Sequence, residues 1–384
     1  MLTKAVLKTK HLSLYLENNK GLLFNHSNSC LYSLPTLSVF ILLLVDEGLS
    51  QDEVLETLKK KSDLRHTELL NFYLSISNML TIQSARLKYA DGQYPELTAI
   101  NTWYAKGHAK NPPHTFQVAE ASFLILGEPK LIQDIISLLS PIQKVLDHID
   151  FEILIKQDAQ SYYIYSNGLL VEQCNTYLEV MPLIIDRLQV LAFQKSDYKF
   201  CFHGAALATP TGNLLLPGES GAGKSTLSAL LLDNTHQLYS DEFIALNDRF
   251  EITTIPLPIA VKSGSWQVVS EKYPQLSEAK TWHRLDGRQL KYLWPSTFAE
   301  YVPIPQSNTL LIHPQYSDSI TKAEVTELSI INTLTLLTTS GYQLGFELDS
   351  EKLENLIGFL QRSQRLRVVY QCSGDVSKVL RSLT

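Results

Sequence analysis

The sequence has little of what would place it in a specialised class. Its four cysteines, Cys30, Cys174, Cys201 and Cys372, are scattered through 384 residues with no C-x-x-C pair. That spacing suggests neither a zinc site nor a disulfide framework, and four free thiols in a reducing cytosol are expected. No apolar run is long. The longest uncharged one, Leu34–Val45, is too short to span a bilayer and suits a buried helix. The opening MLTKAVLKTK is not followed by an apolar core of a signal peptide, so a cytoplasmic protein is expected. Positive charge is not in excess: the net charge is −6, against a role on nucleic acid or an anionic membrane. No repeat or low-complexity tract stands out. What remains, with 45% hydrophobic and 19% charged residues, is a globular chain able to bury full cores. Its length suits two or three domains.

One stretch carries the strongest signal. Leu214–Leu232 reads LLLPGESGAGKSTLSALLL, and within it Gly218, Glu219, Ser220, Gly221, Ala222, Gly223, Lys224 and Ser225 satisfy G-x-x-x-x-G-K-[ST], with Thr226 following. The apolar Leu214–Leu216 predicts a buried strand leading into the loop. The glycines permit positive φ, so that successive N–H groups can point inward as an anion nest. Leu227, Leu230 and Leu231 give the following helix one apolar face, and its N-terminus also favours an anion. Chemistry of this kind holds a nucleoside triphosphate. Lys224 would bridge the outer phosphates, and the Ser225 hydroxyl would hold Mg²⁺.

Around this centre the chain divides by pattern. In residues 1–90, His11–Leu16 and Gly21–Phe24 read as a hairpin across Glu17–Lys20, with a third strand at Ser29–Ser33. Pro35 opens a helix that Gly48 closes. Ser50 and Glu53 form a capping box for the helix Gln51–Lys61, and a further helix runs from His66 to Leu80. Strands followed by three short helices predict a small winged-helix-like α+β domain. Residues 91–113, with Gly, Pro and Asn and no period, read as a linker. From His114 to Thr384 strands and helices alternate, and Asn167-Gly168 marks a hairpin turn. An α/β domain with a mixed sheet is expected there.

Two further features flank the loop. His203 lies fifteen residues before Gly218, and Asp241 and Glu242 lie seventeen and eighteen residues after Lys224. The segment Gln237–Leu246 reads as one strand, which would bring the acidic pair out at a sheet edge beside the loop. One carboxylate could then take a proton from an attacking hydroxyl, and the other could help hold Mg²⁺ near Ser225. His203 could orient either group. Lys262, in Pro256–Trp266, could meet a phosphate, and Arg284 and Arg288 offer further cations.

H-G-A, then G-x-S-G-x-G-K-S, then an acidic pair about seventeen residues past the lysine resembles HPr kinase/phosphorylase and its relatives, whose fold is shared with phosphoenolpyruvate carboxykinases. The resemblance implies a P-loop kinase domain over 114–384. It makes Asp241 the base towards a serine hydroxyl, Glu242 the second acid, and His203 the pre-loop histidine. Two departures stand out. The second acid is Glu instead of Asp, and no Arg-Gly-Leu-Gly-Ile segment follows the pair. Pro256–Trp266 looks instead like the P-x-x-x-x-x-K-x-G-S stretch of HPr-kinase-related kinases found with peptide-modification systems. Residues 1–90, with G-x-S-x-x-E-V ahead of an apolar helix, resemble the PqqD-like modules that bind leader peptides by strand addition.

The resemblance therefore implies an ATP- and Mg²⁺-dependent serine kinase. Its substrate would be a peptide or small protein held by the first domain, with no nucleic acid or membrane partner and with a homo-oligomer possible. Two other readings stay open: a small-metabolite kinase with a scaffold first domain, and a non-enzymatic nucleotide-gated module.

Overall fold

Alternating apolar residues build the first sheet. The computed structural model describes residues 6–8, 11–18, 20–26, 30–81, 114–158, 160–196, 198–296, 298–299, 308–339 and 348–384. The linker expected at 91–113 lies outside the described residues. Strands β1 (Leu7–Lys8), β2 (Leu12–Glu17), β3 (Lys20–Asn25) and β4 (Cys30–Leu34) form one sheet in that order, every neighbouring pair antiparallel. Leu14, Leu23 and Leu34 from this sheet are buried with residues of three helices. These are α1 (Thr36–Asp46), α2 (Gln51–Lys59) and α3 (His66–Thr81). The Ser50–Glu53 capping box is made: the Glu53 carboxylate accepts from the Ser50 N–H at 2.8 Å. Gly48, at φ +86°, lets the chain leave α1.

The chain forms two compact units. The first is Met1–Ala90 together with Glu327–Thr339 and Leu344–Arg365, and the second is Asp91–Thr326, Ser340–Gln343 and Leu366–Thr384. The interval 114–384, expected as one domain, thus supplies pieces of both. Within the first unit, Glu17 at the end of β2 is buried, and its carboxylate accepts from the N–H groups of Ile330 and Ile331 at 3.0 and 2.8 Å. Those are the unsatisfied first amides of the helix Ile330–Thr339, where a negative charge also meets the positive helix end. His26 bridges the hydroxyls of Ser13 at 2.9 Å and Ser350 at 2.8 Å, tying the sheet to the helix Ser350–Arg362.

The second unit is mixed α/β with several mixed sheets. Its first sheet runs β5 (His114–Val118), β6 (Ala121–Leu126), β7 (Phe151–Asp158), β8 (Ser161–Ser166) and β9 (Leu169–Cys174) in that order, with only β6 and β7 parallel. The β8–β9 turn is Asn167-Gly168 with both φ positive, as a two-residue hairpin needs. Helices α4 (Pro129–Leu139) and α5 (Tyr177–Lys195) bury Ile132, Ile135, Ile184 and Leu188 against this sheet. A helix interrupted by Pro141 is expected over Leu131–Leu146. The α-helix instead ends at Leu139, and Pro141 lies in a single 3₁₀ turn, since proline cannot donate to the carbonyl a turn back.

The larger sheet carries the loop. It contains β10 (Phe200–Thr209), β11 (Gly212–Pro217), β12 (Gln237–Ser240) and β13 (Phe243–Leu246), and later β17 (Thr309–Tyr316), β18 (Glu324–Glu327) and β19 (Gln364–Tyr370). The order is β12-β10-β11-β17-β19-β18, with β13 also on β10. Between these segments, β14 (Ile259–Lys262), β15 (Trp282–His283) and β16 (Gln289–Leu293) make a separate antiparallel sheet in the order β14-β16-β15. Helix α6 (Lys224–Leu231) follows β11, and α7 (Trp266–Ser270) follows β14. Leu216, Leu227, Leu231 and Val368 share one core with Val376 and Leu380 of the C-terminal helix Ser373–Leu383. Lys272 and Arg381 donate to the last carbonyls of α6, at 2.7 Å to Leu230 and 2.8 Å to Leu231. Cations there suit the helix dipole and fix the axis whose other end faces the loop.

Candidate functional site

Two glycine-permitted bends set the loop between β11 and α6. Gly221 and Gly223 have φ of +94° and +88°, and Gly223 is the N-cap of α6. At Gly223 space forbids a side chain as well. A Cβ there would lie 1.9 Å from the Tyr370 hydroxyl, which donates to the Ala222 carbonyl at 3.0 Å. Tyr370, wholly buried on β19, thereby pins the loop from outside the motif. At the loop's start, the Gly218 N–H donates to the His203 carbonyl at 3.2 Å.

Lys224 is buried, and its Nζ donates to the Gly218 and Glu219 carbonyls, both at 2.8 Å, and to His203 Nε2 at 2.9 Å. With Nε2 accepting, the imidazole proton belongs on Nδ1, which lies 3.5 Å from Glu242 Oε1. Burial holds His203 below the usual histidine range against the pull of Glu242, so the ring is neutral. Burial also lowers the Lys224 ammonium to about 8, opposed by Glu242 and Asp241.

Gln237–Leu246 is not the single strand that the sequence suggests. Instead β12 and β13 both pair with β10, Ser240 opposite Ala206 and Phe243 opposite His203. Asp241 and Glu242 occupy the break between them, where the Glu242 carbonyl accepts from the Gly204 N–H at 3.0 Å. Gly204 is required because a Cβ there would lie 2.7 Å from the Leu216 carbonyl oxygen and 2.6 Å from Ile244. The break turns the two carboxyls towards the loop: Asp241 accepts from the Ser225 hydroxyl, and Glu242 faces His203.

Asp241 is 8% exposed, and its Oδ1 has no hydrogen-bond partner among the described residues. Burial, then the neighbouring Glu242 charge, pushes its carboxyl up to about 7. Beside it opens a cleft lined by Asp241, Glu242, Asp186, Arg284 and Tyr292, with apolar walls that include Pro258 and Leu290. Arg284 donates to Asp186 at 3.4 Å, and burial raises the Asp186 carboxyl to about 6 despite that partner.

Lys262 reaches the loop from the end of β14, where its Nζ donates to the Ser220 hydroxyl at 3.1 Å. Ser265, just beyond, is 2.6 Å from the Thr226 hydroxyl, so this segment is fastened to the start of α6. Arg288 donates to the same Ser220 oxygen at 3.0 Å. The structure thus gathers His203, Lys224, Ser225, Asp241, Glu242 and Lys262 around residues 218–226. Of the two further arginines, Arg288 meets the loop and Arg284 lines the cleft.

Asp186, Tyr292 and Tyr370 were not legible as site residues. Asp186 lies one turn after Pro182 in α5, and both line the cleft. A proline and an acid on a largely apolar helix were the available signal. Tyr370 sits in an ordinary buried strand pattern and gave none.

Hard oxygen donors for Mg²⁺ are present in the Ser225 hydroxyl and the Glu242 carboxylate, with Asp241 bonded to that hydroxyl beside them. Among the described residues no group of three or more His, Cys, Asp or Glu could hold a metal by itself. A metal here would need phosphate oxygens or water to complete its shell. Among the described residues no helix is long and apolar enough to cross a membrane. No family model and no curated protein matches the chain.

Proposed function

We propose that the chain is an ATP-dependent kinase of the HPr-kinase-like class, transferring the γ-phosphoryl group to a hydroxyl, a serine of a peptide or small protein. The observation that carries this reading is Asp241. A buried carboxyl with an oxygen unpartnered among the described residues, raised to about 7, stands between the hydroxyl of a G-x-x-x-x-G-K-S loop and an open cleft. A base whose pKa lies near the working pH transfers protons best.

In this reading the loop N–H groups other than those of Gly218 and Ala222, which donate to the His203 and Glu219 carbonyls, join the N-terminus of α6 in binding the triphosphate. Lys224 exchanges its bonds to the loop carbonyls for phosphate oxygens, its neighbour His203 keeping the ammonium aimed. Ser225 and Glu242 would hold Mg²⁺, which when bound neutralises charge on the phosphates. The acceptor enters by the cleft of Asp186 and Arg284. Its hydroxyl proton passes to Asp241 Oδ1 as the acceptor oxygen bonds to Pγ. The bond from Pγ to the bridging oxygen breaks, and the electron pair leaves on ADP. Positioning and charge neutralisation supply nearly all the rate. The first unit serves as the peptide-recognition module, with leader capture by strand addition to its sheet.

The test is phosphate transfer from γ-labelled ATP with Mg²⁺ to small proteins and peptides encoded near the gene, wild type beside Asp241→Asn. Label on a serine that disappears in the variant, with nucleotide binding kept, is the expected result. Nucleotide bound with no protein or peptide labelled would remove the peptide acceptor. No nucleotide bound would remove the reading altogether.

A further inference from the structure

Ser220 is the third residue of the loop, and two cations from a different sheet converge on its hydroxyl. Lys262 Nζ comes from the end of β14 at 3.1 Å, and Arg288 Nη1 from the start of β16 at 3.0 Å. Both spend a charge-bearing donor on a neutral oxygen. Gathering two like charges around one hydroxyl is unfavourable unless an anion joins them. Burial, and then the Arg288 guanidinium, push Lys262 below the ordinary lysine range against the pull of Glu242, while the Asp286 carboxylate holds Arg288 charged.

Arg288 is not placed by chance. The turn Arg284–Arg288 closes with the Arg284 N–H on the Arg288 carbonyl at 2.8 Å, and Gly287 takes φ +82°. Within it the Asp286 carboxylate accepts from Arg288 Nε at 2.8 Å and from Nη2, which leaves Nη1 directed at the loop. Lys262 is held from behind by the Ser265–Thr226 contact.

The loop also fixes which phosphate these cations would meet. Lys224, which takes oxygens of the two outer phosphates, lies against the carbonyls of Gly218 and Glu219. The outermost phosphate therefore belongs on the Glu219–Ser220 side, under Lys262 and Arg288.

We propose that Lys262 and Arg288 are a paired clamp for the terminal phosphate of a nucleoside triphosphate, making the site selective for triphosphate over diphosphate. Asp286 is a positioning residue that aims Arg288. The proposal rests on the nucleotide reading of the loop and goes beyond it by assigning the discrimination.

Calorimetry on the full chain with Mg²⁺ separates the two. The probes are the β,γ-imido analogue of ATP and ADP, and the proteins are wild type, Lys262→Met, Arg288→Ala, Arg288→Lys and Asp286→Asn. One charge-assisted hydrogen bond is worth about tenfold or more in affinity. Wild type is expected to prefer the triphosphate by at least that factor. Lys262→Met and Arg288→Ala should each lose about tenfold for the triphosphate and keep the ADP affinity, which also reports an intact loop. Arg288→Lys and Asp286→Asn should fall between. A triphosphate-to-diphosphate ratio unchanged in both single losses, or equal loss of the two nucleotides, overturns the clamp while the nucleotide reading stands. A wild type that binds neither nucleotide overturns both.

Discussion

Replacing Asp241 by asparagine removes a proton acceptor and keeps the side chain's shape and an oxygen for the Ser225 hydroxyl. Transfer should fall by about 10²–10⁴-fold, as for loss of a positioned general base, with nucleotide affinity retained in the calorimeter. The melting temperature should not fall, because burial already disfavours the charge that asparagine lacks. The same burial sets a pH dependence. Asp241 must be deprotonated to act, so single-turnover transfer at saturating ATP should rise as pH passes through about 7 and decline below it. The sign for stability is opposite. The folded chain holds this proton more tightly than the unfolded chain, whose carboxyl titrates near about 4, so this group's contribution is full below that and lost as pH rises through about 7. A pH–rate profile flat from 6 to 8 would remove Asp241 as the base. Gly223→Ala should abolish nucleotide binding, since its Cβ would meet the Tyr370 hydroxyl at 1.9 Å in a backbone region alanine avoids. Lys224, Ser225, His203 and the acidic pair could be picked out because their chemistry is local in sequence. Tyr370 could not, because a tyrosine that pins a loop 148 positions away reads as core in its own strand.

At the scale of elements, hairpins and caps were readable. Asn167-Gly168 and the Ser50–Glu53 box are short-range devices, and each formed. The break between β12 and β13 was not, because Gln237–Leu246 is continuously strand-like and only pairing with β10 at two places reveals the jog. The cap supplied by Glu17 was equally hidden. Its two bonds to Ile330 and Ile331 cross more than three hundred positions, and local pattern gives no hint of them. Glu17→Ala should leave two amides unsatisfied at a helix start and cost about 1–3 kcal/mol, read as a lowered denaturation midpoint at unchanged slope. Glu17→Gln should lose less, since one amide oxygen still accepts. Equal stability of all three proteins would deny the cap any energetic role.

For the molecule as a whole, composition and alternation sufficed for a mixed α/β chain. They did not announce that Glu327–Thr339 and Leu344–Arg365 join the first ninety residues in one compact unit. Contact across such a separation is set by packing, which pattern does not encode. A fragment of residues 1–90 lacks the helix amides bound by Glu17 and the Ser350 partner of His26, and should show weaker amide protection in β2 and β3 than the full chain does. Equal protection would mean that the ninety residues are stable alone. The arrangement also has a consequence for synthesis. Residue 327 leaves the ribosome 237 residues after residue 90, a delay on the order of 10–50 s at ordinary elongation rates. During that interval the buried carboxylate of Glu17 has no helix to cap, and the first sheet waits beside a growing chain. Holding chaperones should therefore engage this protein through residues 1–90, and release it only once the segment from Glu327 begins to emerge.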